Sequence, residues 1–430
     1  MKTTFILLLN IILFSLFFIY YKKRQRKTFG IGHIIILLYL SLSVCSLLDY
    51  LFNSSYSDDI QYPVTLFSAV YFFLFWIWCF TPFFDFSPVK IAKTRAPNIV
   101  ALNSFLVFLI LVVIASFIQI VLNFSELWSN LFSVEYFYDA YADKVDEFSS
   151  DSEAVHSSFS LISVLNNITA DIRIFITMYY FSLPKRNKWI VAGLVFSLLF
   201  SPISFILNAS RGGLVRMFLL IIAFFYVFKN RYEVKVQRVA KWVLIAFVGL
   251  LSTALLAITV GRFTRSFMSD DYLMSTVSHY LGSPIYNFES QVLDAGGTRN
   301  GDRILTLFKY VLMPDDGAYT FGDRLSKYSY MKIGEDTFST FIGDIVLDFG
   351  PFLSILMAFA FVLLLRIMGP LNHKVCHFYH LIPLFIVSYL FLAGWPLCPY
   401  ADIGGNLTLI FYFMVYLYFY FTRNTKKQLV

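Results

Sequence analysis

Arginines beside apolar stretches are the residues of this sequence that most clearly indicate a chemical role. The run N-A-S-R-G-G-L-V-R places Arg211 and Arg216 at the start of an apolar segment. Further arginines follow in a polar region, at Arg262, Arg265, Arg299, Arg303 and Arg324. A guanidinium is permanently charged, and its planar fork of N–H donors matches the oxygens of a phosphate or a carboxylate. These side chains are expected either to bind an anion together or to pair individually with acids.

Residues that could accept a proton form the second set with a possible chemical role. Asp344 and Asp348 are four residues apart, so they share one helical face just before a long apolar run. Carboxylates at that depth should line a polar cavity or pair with an arginine, and helix capping is the alternative. His279 and Glu289 complete the set, because an imidazole or a partly desolvated carboxylate can act as a general base.

The arginines and the possible proton acceptors together suit one class of reaction. A lipid pyrophosphate leaves as an anion without protonation, so transfer of a sugar from it needs charge stabilisation more than a general acid. It also needs a base for the attacking hydroxyl.

Other chemistries lack their motifs. The sequence contains no G-x-x-x-x-G-K-[ST], no H-E-x-x-H and no G-x-S-x-G, and its cysteines form no C-x-x-C pair. An ATP motor, a zinc site and a disulfide framework are therefore not predicted, nor are a cofactor, a metal or a nucleic-acid partner.

The elements that must position these residues are membrane helices. The chain has 430 residues, 58% of them hydrophobic and 14% charged, with mean hydropathy +0.69, which excludes a soluble globular domain. A bilayer core of ~30 Å takes ~20 apolar residues per helix. The sequence thus predicts an all-α polytopic protein with about eleven spans, near residues 3–21, 31–52, 63–80, 98–122, 159–183, 189–207, 213–228, 242–260, 340–365, 380–397 and 404–422.

Charge in the connections predicts the orientation. Every second connection between spans, together with the C-terminal tail, holds most of the 34 Lys and Arg residues. The remaining connections, including 123–158, are acidic or mixed. The positive-inside rule then places the N-terminus outside and the C-terminus in the cytoplasm. A leading span that ends in a basic cluster is predicted to be retained rather than cleaved.

One long segment, Gly261 to Phe338, falls on the outer side in this arrangement. Tyr272 to Leu293 and Arg303 to Leu312 carry apolar residues near 3.6 spacing, which predicts short helices along the outer surface. The expected organisation is a first helical region over 1–260, a large extracytoplasmic loop over 261–338, and a last helical region over 339–430.

Three stretches resemble the Wzy-type polysaccharide repeat-unit polymerases, which make O-antigen, capsule and exopolysaccharide. They are S-R-G-G (Ser210 to Gly213), H-Y-L-G-S-P-I-Y-N-F-E (His279 to Glu289) and D-T-F-S-T-F-I-G-D-I-V-L-D-F-G-P-F (Asp336 to Phe352). The first matches the family's turn between spans. The others are similar to its Y-x-x-G-x-x-x-x-F and T-F-x-x-x-x-x-x-x-D-F-G patterns, except that Pro351 replaces a second glycine.

The resemblance implies a glycosyltransferase of the bacterial inner membrane that polymerises undecaprenyl-pyrophosphate-linked oligosaccharides on the outer leaflet. It also implies a flippase and a chain-length co-polymerase as partners. Two alternatives remain at this point: an O-antigen ligase, which would transfer the glycan to lipid A core, and a flippase or transporter. The long outer segment disfavours the flippase.

The hypothesis for the site assigns each residue a role. Arg211 and the loop arginines, Arg265, Arg299, Arg303 and Arg324, hold the pyrophosphate, and Tyr280 and Glu289 contact substrate. His279, Asp344 or Asp348 activates the acceptor hydroxyl. Arg216 lies ~140° around the helix from Arg211, so it is expected to pair with a buried acid instead.

Overall fold

The computed structural model describes residues 2–25, 29–53, 63–86, 88–122, 161–207, 211–234, 270–314, 317–370 and 376–423, with the single positions 237, 238, 242 and 249. Within these ranges the chain is helical and forms no strand, which confirms the predicted all-α polytopic class.

The α-helices of the described residues are numbered here in chain order. The first are α1 (Lys2–Arg24), α2 (Ile31–Asn53), α3 (Leu66–Phe80), α4 (Pro88–Ala92) and α5 (Ile99–Leu122). Next come α6 (Leu161–Phe181), α7 (Lys188–Leu207), α8 (Arg211–Phe228), α9 (Asp270–Gln291), α10 (Thr306–Leu312) and α11 (Phe321–Lys327). The last are α12 (Thr340–Met368), α13 (Leu381–Ala393) and α14 (Asp402–Phe421).

Nine helices of the described chain are long and apolar enough to cross a membrane: α1, α2, α3, α5, α6, α7, α8, α12 and α14. They match nine of the eleven predicted spans. The predicted span 242–260 lies outside the described residues, apart from positions 242 and 249. The predicted span 380–397 contains α13, which is shorter than the others because the chain turns at Gly394. Eleven spans therefore stay a prediction.

The chain divides into two compact units. Unit 1 comprises Met1–Lys93, Ser269–Cys376 and His380–Ile410, and unit 2 comprises Thr94–Met268, His377–Tyr379 and Phe411–Val430. The described part of the predicted outer loop belongs to unit 1, together with the first three helices.

An aromatic core holds unit 1 together. Trp76 of α3 is fully buried and lies 5.0 Å from Phe14 of α1, 5.3 Å from Tyr39 of α2 and 5.2 Å from Phe391 of α13, measured between ring centroids. Aromatic pairs at such distances contribute about 0.5–1.5 kcal/mol each beyond the area that they bury. Four helices are thereby fixed around one side chain.

A polar cluster lies among the spanning helices of unit 2. Arg216 of α8 approaches Asp171 of α6 with a distance of 3.3 Å between Nε and Oδ1, which confirms the expected pairing with a buried acid. Arg173 donates to the side chains of Asn166, at 3.1 Å, and Ser201, at 3.4 Å. The two charges on α6 have separate partners, as their two-residue spacing requires.

Helix α9 packs closely on α2 through a glycine. A Cβ atom added to Gly282 would lie 2.5 Å from the carbonyl carbon of Cys45 and 2.6 Å from the nitrogen of Ser46. The absence of a side chain therefore lets two helix backbones touch. This contact sets the position of the helix that carries His279.

Candidate functional site

Three arginines and four carboxylates of unit 1 form one buried group, which we call the arginine–carboxylate cluster: Arg299, Arg303, Arg324, Glu335, Asp344, Asp348 and Asp402. Arg299 is its centre. Its Nη1 lies 2.7 Å from Glu335, its Nη2 lies 3.2 Å from Asp344, and its Nε lies 3.1 Å from Asp348. The Nε contact is a charge contact by distance, without the alignment of a hydrogen bond.

The other two arginines extend the cluster to the start of α14. Nη1 of Arg303 lies 3.0 Å from Asp344. Arg324 contacts Glu335 through Nε at 2.6 Å and Asp402 through Nη2 at 2.7 Å. Every cluster side chain is at most 7% exposed except that of Asp402, at 47%. Asp402 is therefore the member that a ligand can reach.

Electrostatic compensation favours the charged forms of Glu335, Arg299 and Arg303. Burial raises the pKa of Glu335, but the three guanidiniums more than offset it, so that pKa lies below its ordinary value. Burial lowers the pKa of Arg303 and of Arg299, and the surrounding carboxylates reverse that effect in both cases. By formal count, three guanidiniums face four carboxyl groups, so the acids outnumber the arginines by one.

A break in α12 explains how the loop attaches to it. Gly350 has φ 72° and ψ 168°, a backbone conformation that is essentially restricted to glycine. Pro351 follows it and has no N–H, so the Leu347 carbonyl loses its normal helical donor. The N–H of Arg299 donates to that carbonyl at 2.8 Å, and the N–H of Gly301 donates to the Asp348 carbonyl at 3.2 Å.

The two aspartates of α12 bind loop backbone as well as arginine. Oδ2 of Asp348 accepts the N–H groups of Arg303, at 3.1 Å, and Ile304, at 2.6 Å. The short helix α10 begins at Thr306, three residues after the predicted Arg303. Oδ2 of Asp344 accepts the N–H of Cys398 at 2.6 Å. Both carboxylates lie on one face of α12, as their spacing predicts.

Backbone strain is concentrated beside the cluster. Among the described residues, the non-glycine residues with positive φ are Asn300 (51°), Thr340 (68°) and Asp402 (60°). Such conformations cost about 1–3 kcal/mol each and persist only where surrounding contacts enforce them. A β-branched residue such as Thr340 is especially unfavourable there. Strain of this kind is typical of functional sites.

A second site of unit 1 contains a histidine oriented by an acid. Nδ1 of His279 on α9 lies 3.2 Å from Oδ1 of Asp49 on α2. The Asp49 side chain is 6% exposed and the His279 side chain 66% exposed. The hydrogen bond to Asp49 raises the pKa of His279, and burial opposes that shift only in part. A buried carboxylate thus orients an accessible imidazole.

Tyr280, next to His279, connects this pair to the beginning of α12. Its ring lies 5.9 Å from Phe338 and 5.5 Å from Trp395. The turn after Trp395 in turn accepts the N–H groups of Ser339 and Thr340 through the Pro396 carbonyl, at 3.1 and 2.9 Å. The histidine and the cluster are therefore linked through packed aromatic residues at the same end of α12.

The predicted site residues do not all meet. Arg299 and Arg303 contact Asp344, and Arg299 also contacts Asp348, whereas Arg324 joins the cluster through Glu335 and Asp402. The described hydrogen bond of His279 goes to Asp49. Glu289 is 1% exposed and accepts a hydrogen bond from Asn10. Arg211 begins α8, but its side chain lies outside the described residues. Arg262 and Arg265 lie outside them entirely.

Three acids of these sites were missed by sequence reasoning: Asp49, Glu335 and Asp402. Asp49 has a signal that could have found it, since it is an ionisable residue within an apolar span, which is a functional hypothesis by default. Glu335 has none, because one acid in a polar loop is indistinguishable from its neighbours. Asp402 carries the general signal of an acid in the first turn of a helix.

Comparison with known proteins gives no further assignment. No family model matches the chain, and neither a curated protein nor a solved structure matches it. Among the described residues, no group of three or more His, Cys, Asp or Glu side chains is placed to hold a metal ion.

Proposed function

We propose that this protein is a membrane glycosyltransferase of the bacterial inner membrane, polymerising undecaprenyl-pyrophosphate-linked oligosaccharide repeat units on the outer face. The observation that carries the proposal is the Asp49–His279 pair. A base oriented by a third group is an arrangement that activates a hydroxyl for nucleophilic substitution. It occurs here in the segment that resembles the polymerases.

The reaction follows from the geometry of this pair. With its Nδ1–H directed at Asp49, neutral His279 presents Nε2 to the acceptor hydroxyl. As that oxygen attacks the anomeric carbon of the donor glycan, its proton passes to Nε2. The bond between the anomeric carbon and the pyrophosphate oxygen breaks, and undecaprenyl pyrophosphate leaves as an anion. The imidazolium then releases its proton to water.

The buried arginines receive a different role from the one that the sequence suggested first. A pyrophosphate entering the arginine–carboxylate cluster would meet more acids than arginines and would have to displace carboxylates from Arg299, Arg303 and Arg324. We therefore assign these three to holding the loop on α12. Arg211 and Arg265 are the proposed pyrophosphate ligands, with the reactants at the outer surface.

The proposed orientation follows the positive-inside rule, with the N-terminus outside and the C-terminus cytoplasmic. The cluster and His279 then lie on the extracytoplasmic side, where a flippase would deliver lipid-linked repeat units. A chain-length co-polymerase is the second expected partner.

The test is transfer by the purified protein in proteoliposomes supplied with a lipid-pyrophosphate-linked repeat unit. A ladder of products supports the polymerase. Single transfer to lipid A core, with no ladder, would identify a ligase instead, and movement of the lipid across the bilayer without transfer would identify a flippase.

His279→Ala should lower the rate by ~10²–10⁴-fold, the range for a general base, while His377→Ala serves as a matched histidine control. An unchanged ladder in His279→Ala would reject the assigned base.

A further inference from the structure

Glu289 and Asn10 form an isolated polar pair inside unit 1. Each is 1% exposed, and Nδ2 of Asn10 on α1 donates to Oε1 of Glu289 on α9. The two remaining polar atoms of the pair, Oδ1 of Asn10 and Oε2 of Glu289, are also buried, and the described residues give neither a hydrogen-bond partner. Two unpaired buried oxygens in one pair call for an explanation, because each one costs free energy.

A proton on Glu289 would supply the donor that both atoms lack. An ionised carboxylate accepts hydrogen bonds only, as does the oxygen of a side-chain amide, so two such oxygens cannot bond to each other. A protonated carboxyl group has one O–H donor. If that hydrogen is on Oε2, it donates to Oδ1 of Asn10 while Nδ2 donates to Oε1. The acid and the amide then share two hydrogen bonds in a closed ring.

The surroundings of the pair favour the uncharged acid. Phe288, next to Glu289, packs against Phe72 of α3 with ring centroids 5.0 Å apart, and Tyr286 packs against a core that includes Ile6 and Val64. Burial in these apolar surroundings raises the pKa of Glu289 to about 8, and the hydrogen bond from Asn10 opposes that shift only in part. The titratable neighbours, Tyr286 and Tyr71, are phenols, which ordinarily stay neutral below pH 9 or so.

We infer that Glu289 is held as a neutral carboxylic acid, joined to Asn10 by two hydrogen bonds, and that this pair positions α9, with His279, on α1. The protonation state is independent of the proposed function, whereas the benefit of positioning His279 rests on it. The pair adds to the other contacts of α9, which include the Gly282 contact with α2 and the His279–Asp49 bond. It fixes the last turn of the helix.

The protonation state is tested by infrared spectroscopy on the reconstituted protein. Wild-type protein at neutral pH should show a carboxylic-acid C=O band that shifts in heavy water and is missing from Glu289→Gln. Asp294→Asn, which alters an exposed acid of the same unit, should keep the band. A wild-type spectrum identical to that of Glu289→Gln would mean that Glu289 is ionised and would overturn the inference.

Thermal unfolding as a function of pH gives a second measurement. A carboxyl group whose pKa rises from 4.5 to about 8 on folding binds more protons in the folded state than in the unfolded state between those values. Its contribution to stability is therefore complete below pH 4.5 and is lost as the pH rises towards 8. Wild type should lose unfolding temperature relative to Glu289→Gln across that interval, and parallel curves would contradict the inference.

The positioning role has its own readout in the imidazole of His279. A glutamine at 289 can form both hydrogen bonds with Asn10, whereas an alanine can form neither. By NMR, the pKa of His279 should stay raised in Glu289→Gln and fall towards its ordinary value in Glu289→Ala, because the contact with Asp49 loosens.

If Glu289→Ala does not fold, Asn10→Ala removes the same two hydrogen bonds by changing the other partner. If the pKa of His279 is unchanged in whichever alanine variant folds, the pair does not position His279. These measurements need no glycan substrate, so a failed transfer assay would leave their outcome intact.

Discussion

The backbone N–H of Arg299 donates at 2.8 Å to the carbonyl oxygen of Leu347, the oxygen left without a helical donor by Pro351 four residues later. Pro351 thus leaves a carbonyl oxygen free to accept a hydrogen bond within an apolar helix. The loop residue that donates to it, Arg299, is the same one that pairs with Asp344 and Asp348. The arginine–carboxylate cluster and the break in α12 are therefore connected through Arg299.

The break in α12 should depend on Gly350. A side chain added there meets Thr298 no closer than 3.5 Å, so space is available and the cost is conformational. With φ at 72° and ψ at 168°, Gly350→Ala is expected to cost about 1–3 kcal/mol. Gly404→Ala is the control, because its added Cβ meets nothing within 4 Å and alanine is favoured in a helix. Thermal unfolding in detergent should separate the two variants, and equal midpoints would show that Gly350 is not strained.

The stability of the loop should depend strongly on Glu335. This acid touches all three cluster arginines and is 3% exposed. Glu335→Gln removes the one carboxylate that all three guanidiniums share, and it should cost about 1.5–3 kcal/mol for each of the charge-assisted hydrogen bonds to Arg299 and Arg324. Asp402→Asn removes a half-exposed acid from the same cluster and should cost roughly 0–1 kcal/mol. Limited proteolysis between residues 299 and 335 would report the difference; similar protection in both variants would mean that the cluster does not hold the loop.

Acid should open the same loop. The pKa of Glu335 is lowered on folding, and so is that of Asp302, where burial raises the pKa but Lys309, Lys327 and Tyr328 more than compensate. A lowered pKa means that the unfolded state binds more protons, so stability is present above the ordinary pKa of these acids and is lost as the pH falls below about 4. Proteolysis of the loop should increase there in wild type. Glu335→Gln, already destabilised at neutral pH, should show a weaker pH dependence.

Part of this architecture could be predicted from the sequence. Nine spans follow from apolar length, the shared face of Asp344 and Asp348 follows from their spacing, and the partner of Arg216 follows from the cost of a buried guanidinium. The arginines left two possibilities open, a ligand or acids, and for Arg299, Arg303 and Arg324 the structure shows acids. A contact between residues 230 positions apart, such as that of His279 with Asp49, leaves no local pattern.

The interpretation of Glu289 shows the same limit. Its place in a segment similar to the polymerase motif suggested substrate contact, whereas the structure buries it against Asn10, which lies in the first span. No spacing rule relates these two residues, because the packing of three helices brings them together.

The pH dependence of glycan transfer should report the Asp49–His279 pair. The base is the neutral imidazole, and its pKa is raised, so the rate should rise through an inflection above the ordinary histidine value of 6.5. Asp49→Asn removes the carboxylate that raises it, which should move the inflection to lower pH and reduce the maximal rate. The reduction should stay within the ~10²–10⁴-fold available to a general base. An inflection that does not move in Asp49→Asn would exclude His279 as the titrating group.

The position of α9 should depend on Gly282. Gly282→Ala brings a Cβ within 2.5 Å of the Cys45 backbone, and a backbone cannot move aside as a side chain can. Overpacking of this kind costs about 1–3 kcal/mol and must shift α9 away from α2. The shift should lengthen the His279–Asp49 contact, so by NMR the pKa of His279 should fall towards 6.5. Gly404→Ala again serves as the control, and a Gly282→Ala protein with the wild-type His279 pKa would show that the helices separate without disturbing the pair.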